Sequence, residues 1–121
     1  MTIEILAALA LLLIHVWLVP MVLNINNASW LMGSRDQAVE FSILTHRAKR
    51  AAANYMETVI IFLTLALLAV IKGVDVSEPA LYWLGLRIAY LPLYLAGVPY
   101  IRSLVWVAAL IPLWGMASAL M

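Results

Sequence analysis

Four polar side chains share one face of the second long apolar stretch of this sequence. Arg47, Arg50, Asn54 and Glu57 are separated by three, four and three residues, a spacing that places them on one stripe of a helix. An amide and a carboxylate inside an apolar helix are costly unless another group pairs with them. The stripe therefore predicts an ion pair, a binding site or both.

The next two apolar stretches contribute further polar residues. Arg87, Tyr90 and Tyr94 follow at spacings of three and four, while Arg102 and Ser103 stand at the start of the last stretch. Several cations gather at one level with no acid to match them, and such a group favours an anionic ligand. Lipid headgroups are the alternative partner, because they attract cations without any chemistry. The residues of this predicted anion site are Arg50, Asn54, Tyr94, Arg102 and Ser103.

The composition is that of a membrane protein. Of the 121 residues, 67% are hydrophobic and 11% are charged, and four stretches reach the roughly 20 apolar residues that a membrane-spanning helix requires. We predict an all-α integral membrane fold, with residues 1–121 forming one four-transmembrane-helix bundle. The absence of cysteine excludes disulfides, thiolate metal sites and a cysteine nucleophile. The predicted helices cover about residues 3–23, 37–71, 79–98 and 101–120.

The second predicted helix is longer than a bilayer is thick. Over residues 37–71 it would extend roughly 50 Å at about 1.5 Å per residue, so its first turns would project into the cytosol and Ala51–Ile71 would span the membrane. It follows the one long polar connection, Asn24–Thr45, in which the sequence GSRD predicts a turn. Ser34 or Asp36 is the expected N-cap of this helix.

The basic residues are distributed unevenly between the two ends of the bundle. One end has Lys72 as its single cation, beside Asp75 and Glu78, with Glu4 near the N-terminus. The positive-inside rule places the other, basic end in the cytosol and both termini on the non-cytosolic side. The predicted anion site therefore faces the cytosol. The cations of the basic end are Arg35, Arg47, Lys49, Arg50 and Arg102.

The partner expected for Glu57 is Arg87. Measured from the non-cytosolic ends of their helices, Glu57 lies about 20 Å deep and Arg87 about 13 Å deep, and an arginine side chain covers most of the difference. Either charge alone would be expensive inside the membrane. We predict a buried structural ion pair that fixes the register of the second and third helices. Participation of the pair in the binding site is the alternative.

The remaining polar and aromatic residues indicate packing or interfacial roles. His15 is alone in the middle of the first apolar stretch, which favours a hydrogen-bonded packing histidine over a ligand or a proton relay. Trp30, Tyr82 and Trp83 are expected in interfacial belts. The sequence has no metal constellation, glycine-rich phosphate loop or Ser-His-Asp set, so we expect no metal.

Three motifs resemble those of the MAPEG superfamily, the membrane-associated proteins in eicosanoid and glutathione metabolism. RAKRAAANYMETVIIF, Arg47–Phe62, is similar to the second-helix signature of the family: an arginine, three residues, an asparagine, two residues, a glutamate and an apolar run. RIAYLPLY, Arg87–Tyr94, resembles the third-helix pattern. PYIRSLVW, Pro99–Trp106, is similar to the start of the fourth helix in the prostaglandin E synthase branch. The four-helix layout extends the resemblance over the chain.

The resemblance implies a homotrimer of four-helix subunits, with glutathione as co-substrate at each subunit interface and a lipophilic second substrate arriving from the bilayer. It assigns stabilisation of the glutathione thiolate to Arg102, with Ser103 beside it. A nearby guanidinium can do this because it lowers the pKa of a thiol. The two carboxylates of glutathione also suit an arginine-rich pocket. The glutathione-binding or supporting residues implied are Arg50, Asn54, Glu57, Tyr90 and Tyr94.

The sequence also departs from the family pattern. Trp106 stands where prostaglandin E synthase has a tyrosine, and Asn24, Asn26 and Asn27 stand where several relatives have a glutathione-binding arginine. Two hypotheses follow: a glutathione-dependent membrane transferase or peroxidase for lipophilic electrophiles, or a non-catalytic lipid- or ligand-binding trimer. A small four-helix multidrug exporter is a third class, but such exporters are expected to have a glutamate in their first helix, where this chain has only His15.

Overall fold

All regular secondary structure in the chain is helical, and there is no strand. The computed structural model describes residues 1–121. In chain order the helices are α1 (Thr2–Leu23), α2 (Ala28–Met32), α3 (Ile43–Lys72), α4 (Ser77–Ala96) and α5 (Pro99–Leu120). Three of them, α1, α3 and α5, are long and apolar enough to cross a membrane. The short α2 lies in the predicted polar connection, so there are five helices rather than four, and a fourth span formed by α4 stays a prediction.

One turn of α1, Ile14–Leu18, is π-helical. Pro20 follows two residues later, and its ring would collide with the carbonyl four residues earlier in a regular α-helix. Widening the helix just before a proline relieves such a collision. The wide turn contains His15, which is buried.

Helix α3 corresponds to the second predicted helix, residues 37–71, and it begins later than predicted. Its N-cap is Ser42, whose hydroxyl accepts a hydrogen bond from the backbone N–H of Thr45 at 3.2 Å. This bond satisfies one of the amides that have no partner within the first helical turn. Because α3 starts at Ile43 and not at residue 37, neither Ser34 nor Asp36 caps it.

Local contacts hold the segment between α2 and α3 in an irregular conformation. The indole N–H of Trp30 donates to the carbonyl oxygen of Gln37 at 2.6 Å, and the Trp30 ring meets Phe41 edge-on at 5.4 Å. Arg35 has a positive φ of 63°, which is uncommon for a residue with a side chain. Its Nε–H donates to the carbonyl of Leu31 at 3.0 Å. These contacts compete with helix formation before Ser42.

Two glycines end the helices that follow. Gly73 after α3 and Gly97 after α4 are left-handed, with φ of 66° and 74°, a conformation that costs glycine nothing. The short turns that follow make α3, α4 and α5 sequential antiparallel neighbours. These turns also place the end of α4 beside the start of α5.

The core has large aromatic rings at its centre and small residues around them. α3 lies in the middle and contacts α1, α4 and α5. Phe62 of α3 stacks on Trp83 of α4, with ring centroids 4.2 Å apart. Trp83 is fully buried, so the prediction that it belongs to an interfacial belt is wrong. Fully buried alanines such as Ala66 and Ala80 let the helix backbones approach closely.

Candidate functional site

Two guanidinium groups meet at one tyrosine where α3, α4 and α5 come together. The Arg102 guanidinium carbon lies 4.5 Å from the centroid of the Tyr94 ring. The Arg50 guanidinium carbon lies 5.9 Å from the same centroid, and its Nε–H donates to the Tyr94 hydroxyl at 3.2 Å. We refer to Arg50, Tyr94 and Arg102 as the basic cluster. The structure brings together these three of the five residues of the predicted anion site.

The helix ends bring these side chains together. Tyr94 lies in the last turn of α4, and Arg102 lies in the first turn of α5, which starts at Pro99. A proline at the first helical position is favourable because its missing N–H would have no partner there. The N-terminus of a helix carries partial positive charge, which adds to the charge of Arg102. The arrangement therefore has a positive potential suited to an anion.

No acid neutralises the basic cluster within the chain. The one salt bridge joins the amino group of Met1 to the carboxylate of Glu4 at 3.2 Å, at the N-terminus of α1. Arg50 is exposed and Arg102 is partly exposed, so both can reach a ligand. Their only partners are the ring and hydroxyl of Tyr94. The cluster can therefore bind a negatively charged group through charge-assisted hydrogen bonds.

Arg47, on the same stripe of α3, has a different role. Its Nη1–H donates to the carbonyl of Leu95 at 3.2 Å, in the last turn of α4. A cation at this end compensates the partial negative charge of the free helix carbonyls. Arg47 therefore caps α4 and is not part of the basic cluster.

A buried arginine, Arg87, lies between two tyrosine rings on the inner side of the basic cluster. Tyr90 meets Tyr94 edge-on at 5.5 Å. The Arg87 guanidinium carbon lies 4.5 Å from the Tyr90 ring centroid and 5.3 Å from that of Tyr55. Arg87 is fully buried, and none of its three guanidinium nitrogens has a hydrogen-bond partner. The π faces of the two tyrosines are the groups that stabilise its charge.

The ion pair predicted between Glu57 and Arg87 is not formed within the chain. Glu57 is exposed on α3 and has no salt bridge, whereas Arg87 points to Tyr55. Successive residues of an α-helix are rotated by about 100°, so Glu57 lies about 200° around α3 from Tyr55. The prediction was wrong because it compared depths along the helices and did not fix the direction in which each side chain points.

Three other predicted site residues are not joined to the basic cluster. The hydroxyl of Ser103 donates to the carbonyl of Pro99 at 3.0 Å, within its own helix. The amide oxygen of Asn54 is buried without a hydrogen-bond partner, and so is the indole nitrogen of Trp106. Asn54, Glu57 and Ser103 have no hydrogen bond to Tyr94 or to either arginine of the cluster.

Sequence reasoning missed Tyr55 and the contacts around it. Tyr55 is fully buried, and its hydroxyl donates to the carbonyl of Ala8 at 2.7 Å. Its ring stacks on His15, with centroids 4.5 Å apart. Nδ1 of His15 lies 2.8 Å from the carbonyl oxygen of Leu11, which confirms the packing role predicted for this histidine. The spacing of seven residues from Tyr55 to Phe62 was the available signal for a buried aromatic stripe.

Comparison with known protein families supplies an independent observation. The model of the MAPEG family matches residues 2–121, which includes all five helices and every residue of the basic cluster. Comparison with curated proteins and with solved structures gives no significant match.

Proposed function

Because the chain belongs to the MAPEG family, we propose that it is a glutathione-dependent integral membrane transferase or peroxidase acting on lipophilic electrophiles. Family membership makes it a membrane protein of the eicosanoid and glutathione metabolism kind. One observation carries the narrower proposal: Arg50 and Arg102 converge on Tyr94 and have no carboxylate partner.

The charges of the basic cluster complement those of glutathione. The tripeptide carries two carboxylates, and a guanidinium binds a carboxylate through two parallel hydrogen bonds. Arg50 is exposed on α3, and its Nε–H donates to the hydroxyl of Tyr94. We assign Arg50, with Tyr94, to binding the peptide. Asn54, Glu57 and Tyr90 support this site.

Arg102 is the residue that we place nearest to the reacting sulfur. A neighbouring guanidinium stabilises a thiolate and so lowers the pKa of the glutathione thiol. The thiolate then attacks an electrophilic carbon, a sulfur–carbon bond forms, and the leaving group departs with its electron pair. Ser103, one residue further along α5, assists by accepting a hydrogen bond at the same level.

The position of Glu57 supports a homotrimer with the site at the subunit interface. Glu57 and Arg50 are exposed on the face of α3 that turns away from the core of the chain, and Asn54 lies between them. A carboxylate on a lipid-facing surface is costly, so a second copy is expected to cover this face. In this trimer the site opens to the cytosol. Mass measurement in mild detergent should give three copies, and a monomer or a dimer would contradict a site shared between subunits.

Substitution of the two arginines tests their assigned roles. Arg102→Ala should lower thiolate formation and turnover by about two orders of magnitude or more while weakening glutathione binding less. Arg50→Ala should do the reverse, raising the dissociation constant with a smaller effect on the chemistry of bound glutathione. The measurements are the ultraviolet absorbance of the thiolate after glutathione addition and the conjugation of chlorodinitrobenzene.

Arg35→Ala is the matched control, because it removes an arginine that lies outside the basic cluster. It should leave both the thiolate absorbance and the turnover unchanged. If Arg102→Ala behaves like Arg35→Ala, Arg102 does not act on the sulfur and the assignment is wrong.

A non-catalytic ligand-binding trimer is the second candidate. The hydroxyl of Ser103 is already used within its own helix, and Trp106 supplies an indole in place of a hydroxyl one turn deeper. Both features reduce the number of groups that could assist proton transfer. If wild-type protein binds glutathione but forms neither thiolate nor conjugate, the binding function is the correct one.

A further inference from the structure

The separation of Tyr94 and Arg102 depends on the turn that joins α4 to α5. Only Gly97 and Val98 lie between the two helices, and the Arg102 guanidinium carbon is 4.5 Å from the centroid of the Tyr94 ring. Gly97 is left-handed, with φ of 74°. In so short a link, a small backbone rotation moves the start of α5 relative to the end of α4. Whatever fixes this turn therefore fixes the geometry of the basic cluster.

The last carbonyls of α4 obtain their hydrogen bonds from two different sources. Two backbone N–H groups of the turn donate to the carbonyls of Leu93 and Tyr94, at 3.2 and 3.1 Å, which is the pattern of a Schellman motif. The next carbonyl belongs to Leu95. The residue four positions later, which would donate to it in a continuing helix, is Pro99 and has no N–H. A donor from outside the helix has to satisfy this carbonyl.

Arg47 of α3 supplies that donor and also contacts the turn. Its Nη1–H donates to the carbonyl of Leu95 at 3.2 Å. Its guanidinium group packs so closely on Gly97 that an added Cβ would lie 2.8 Å from the guanidinium carbon. Arg50, three residues later on the same stripe, donates to the Tyr94 hydroxyl. Two arginines of α3 therefore hold the end of α4, one at the ring of the basic cluster and one at the turn behind it.

We propose that Arg47 is a positioning residue, which holds the turn after α4 so that the Arg102 guanidinium stays against Tyr94. This inference rests on the proposed function, in which Arg102 stabilises the glutathione thiolate. If the turn relaxes, Arg102 moves away from the place assigned to the sulfur. A guanidinium farther from the sulfur stabilises the thiolate less, because the interaction of two charges weakens with distance. Loss of Arg47 therefore raises the pKa of the glutathione thiol without removing a group that touches the ligand.

Arg47→Met removes the donor and keeps an unbranched side chain of similar length. Below the pKa of the thiol, it should lower the thiolate fraction of bound glutathione by about three- to tenfold, so the pH profile of thiolate absorbance should move to higher pH. The dissociation constant of glutathione should change much less, because Arg50 and Tyr94 keep their assigned contacts. Arg47→Lys retains a cation within reach of the Leu95 carbonyl and should recover part of the lost thiolate.

Two comparisons separate positioning from a direct effect of the Arg47 charge on the sulfur. Lys49→Met removes a cation from the same part of α3, where it contacts the Phe41 ring and not the turn, and should leave the pH profile unchanged. In an Arg102→Ala background, titrated to higher pH, Arg47→Met should cause no further shift, because the group that it positions is gone. An equal shift in both backgrounds, or an unshifted profile in Arg47→Met, would overturn the proposal.

A measurement without glutathione reports the position of Arg102 directly. In protein labelled with 3-fluorotyrosine, the fluorine NMR resonance of Tyr94, assigned with Tyr94→Phe, should shift in Arg102→Ala because the ring loses a guanidinium neighbour. Arg47→Met should shift it in the same direction by a smaller amount, and Lys49→Met should not shift it. Should Arg47→Met fail to fold, Arg47→Lys gives the same comparison with a smaller shift.

The two measurements also distinguish failure of this inference from failure of the proposed function. If the Tyr94 resonance responds to Arg47→Met while wild type forms no thiolate, Arg47 positions Arg102 but the transferase function is wrong. If wild type forms thiolate and neither signal responds to Arg47→Met, the transferase function stands and the positioning role is wrong. An unmoved Tyr94 resonance in folded Arg47→Met contradicts the positioning role in either case.

Discussion

Two arginine–tyrosine contacts in this protein have the same distance and opposite surroundings. The guanidinium carbon of Arg87 lies 4.5 Å from the centroid of Tyr90, and that of Arg102 lies 4.5 Å from the centroid of Tyr94. Arg87 is fully buried, whereas Arg102 is partly exposed at a helix start. Contact with a ring therefore does not identify a binding residue; access of the guanidinium to a ligand does.

The two contacts are joined by the edge-on pair of Tyr90 and Tyr94. One end of this array is fixed by the aromatic core around Tyr55, and the other end opens where α4 meets α5. We expect substitutions at the buried end to change the free energy of unfolding. Substitutions at the open end should change ligand binding and leave stability almost unaffected.

The largest effect is expected for Trp83→Ala, at the centre of the buried end. Trp83 is fully buried and stacks on Phe62, so its truncation should lower the free energy of unfolding by about 3–5 kcal/mol. Trp114→Ala is the control, because Trp114 is 73% exposed and its loss should change stability by less than about 0.5 kcal/mol. Denaturant unfolding in detergent measures both; equal losses would show that the core is placed wrongly.

The next effect compares the two arginines directly. Arg87→Ala should destabilise the protein by about 2 kcal/mol or more, because it removes a buried side chain that packs on two rings. Arg87→Met should lose less, since methionine fills similar space and removes an unpaired buried charge. Arg102→Met should stay within about 0.5 kcal/mol of wild type. If Arg102→Met lost as much stability as Arg87→Ala, the distinction between a structural Arg87 and a ligand-binding Arg102 would be wrong.

A double-variant cycle sharpens this result. Glu57→Gln combined with Arg87→Met should show a coupling free energy below about 0.5 kcal/mol, as expected for residues that do not touch. A coupling of 2 kcal/mol or more would restore the ion pair and would require Arg87 to leave its position between the tyrosines.

A smaller effect tests the role of Arg47 as a cap. A Cβ added to Gly97 would lie 2.8 Å from the guanidinium carbon of Arg47, whereas a Cβ at Gly73 would meet nothing within 4 Å. Both glycines have positive φ, so Gly73→Ala should cost about 1 kcal/mol and Gly97→Ala about 2 kcal/mol. In an Arg47→Ala background the two costs should become equal. Should the difference persist, Arg47 is not the group that crowds Gly97.

The smallest effect is expected for Tyr94→Phe at the open end. This change removes the hydroxyl that accepts from Arg50 at 3.2 Å and keeps the ring beneath Arg102. The hydrogen bond is exposed, so thermal unfolding should report a loss of about 0.5 kcal/mol or less. A loss comparable to that of Trp83→Ala would mean that the open end is part of the folding core.

The sequence was informative where local chemistry decides the structure. Apolar length predicted the long helices, and spacing placed Arg50 on one stripe with Arg47. The start of α3 was not predictable in this way, because the bond from Trp30 to Gln37 and the ring contact with Phe41 hold the preceding segment. Those contacts depend on how the segment folds back on itself.

The sequence predicted which cations belong to the candidate site, but it did not predict which residues pair with one another. Unmatched arginines and a tyrosine at a shared depth led to the basic cluster of Arg50, Tyr94 and Arg102. Depth alone led to a wrong partner for Glu57, because the rotation of a helix about its own axis is decided by packing. Tyr55 decides it here by facing α1 and Arg87, which turns Glu57 away.

The wide turn in α1 acts as a one-residue insertion in the helix. A π-helical turn accommodates one more residue than an α-helical turn, so the part of α1 after Ile14–Leu18 is out of phase by about 100° with the part before it. Deleting one residue from this turn would restore a uniform helix and rotate Asn24, with the connection that follows, to another side of the bundle. The two halves of α1 therefore keep separate registers, and hydrophobic periodicity measured on one half does not carry over to the other.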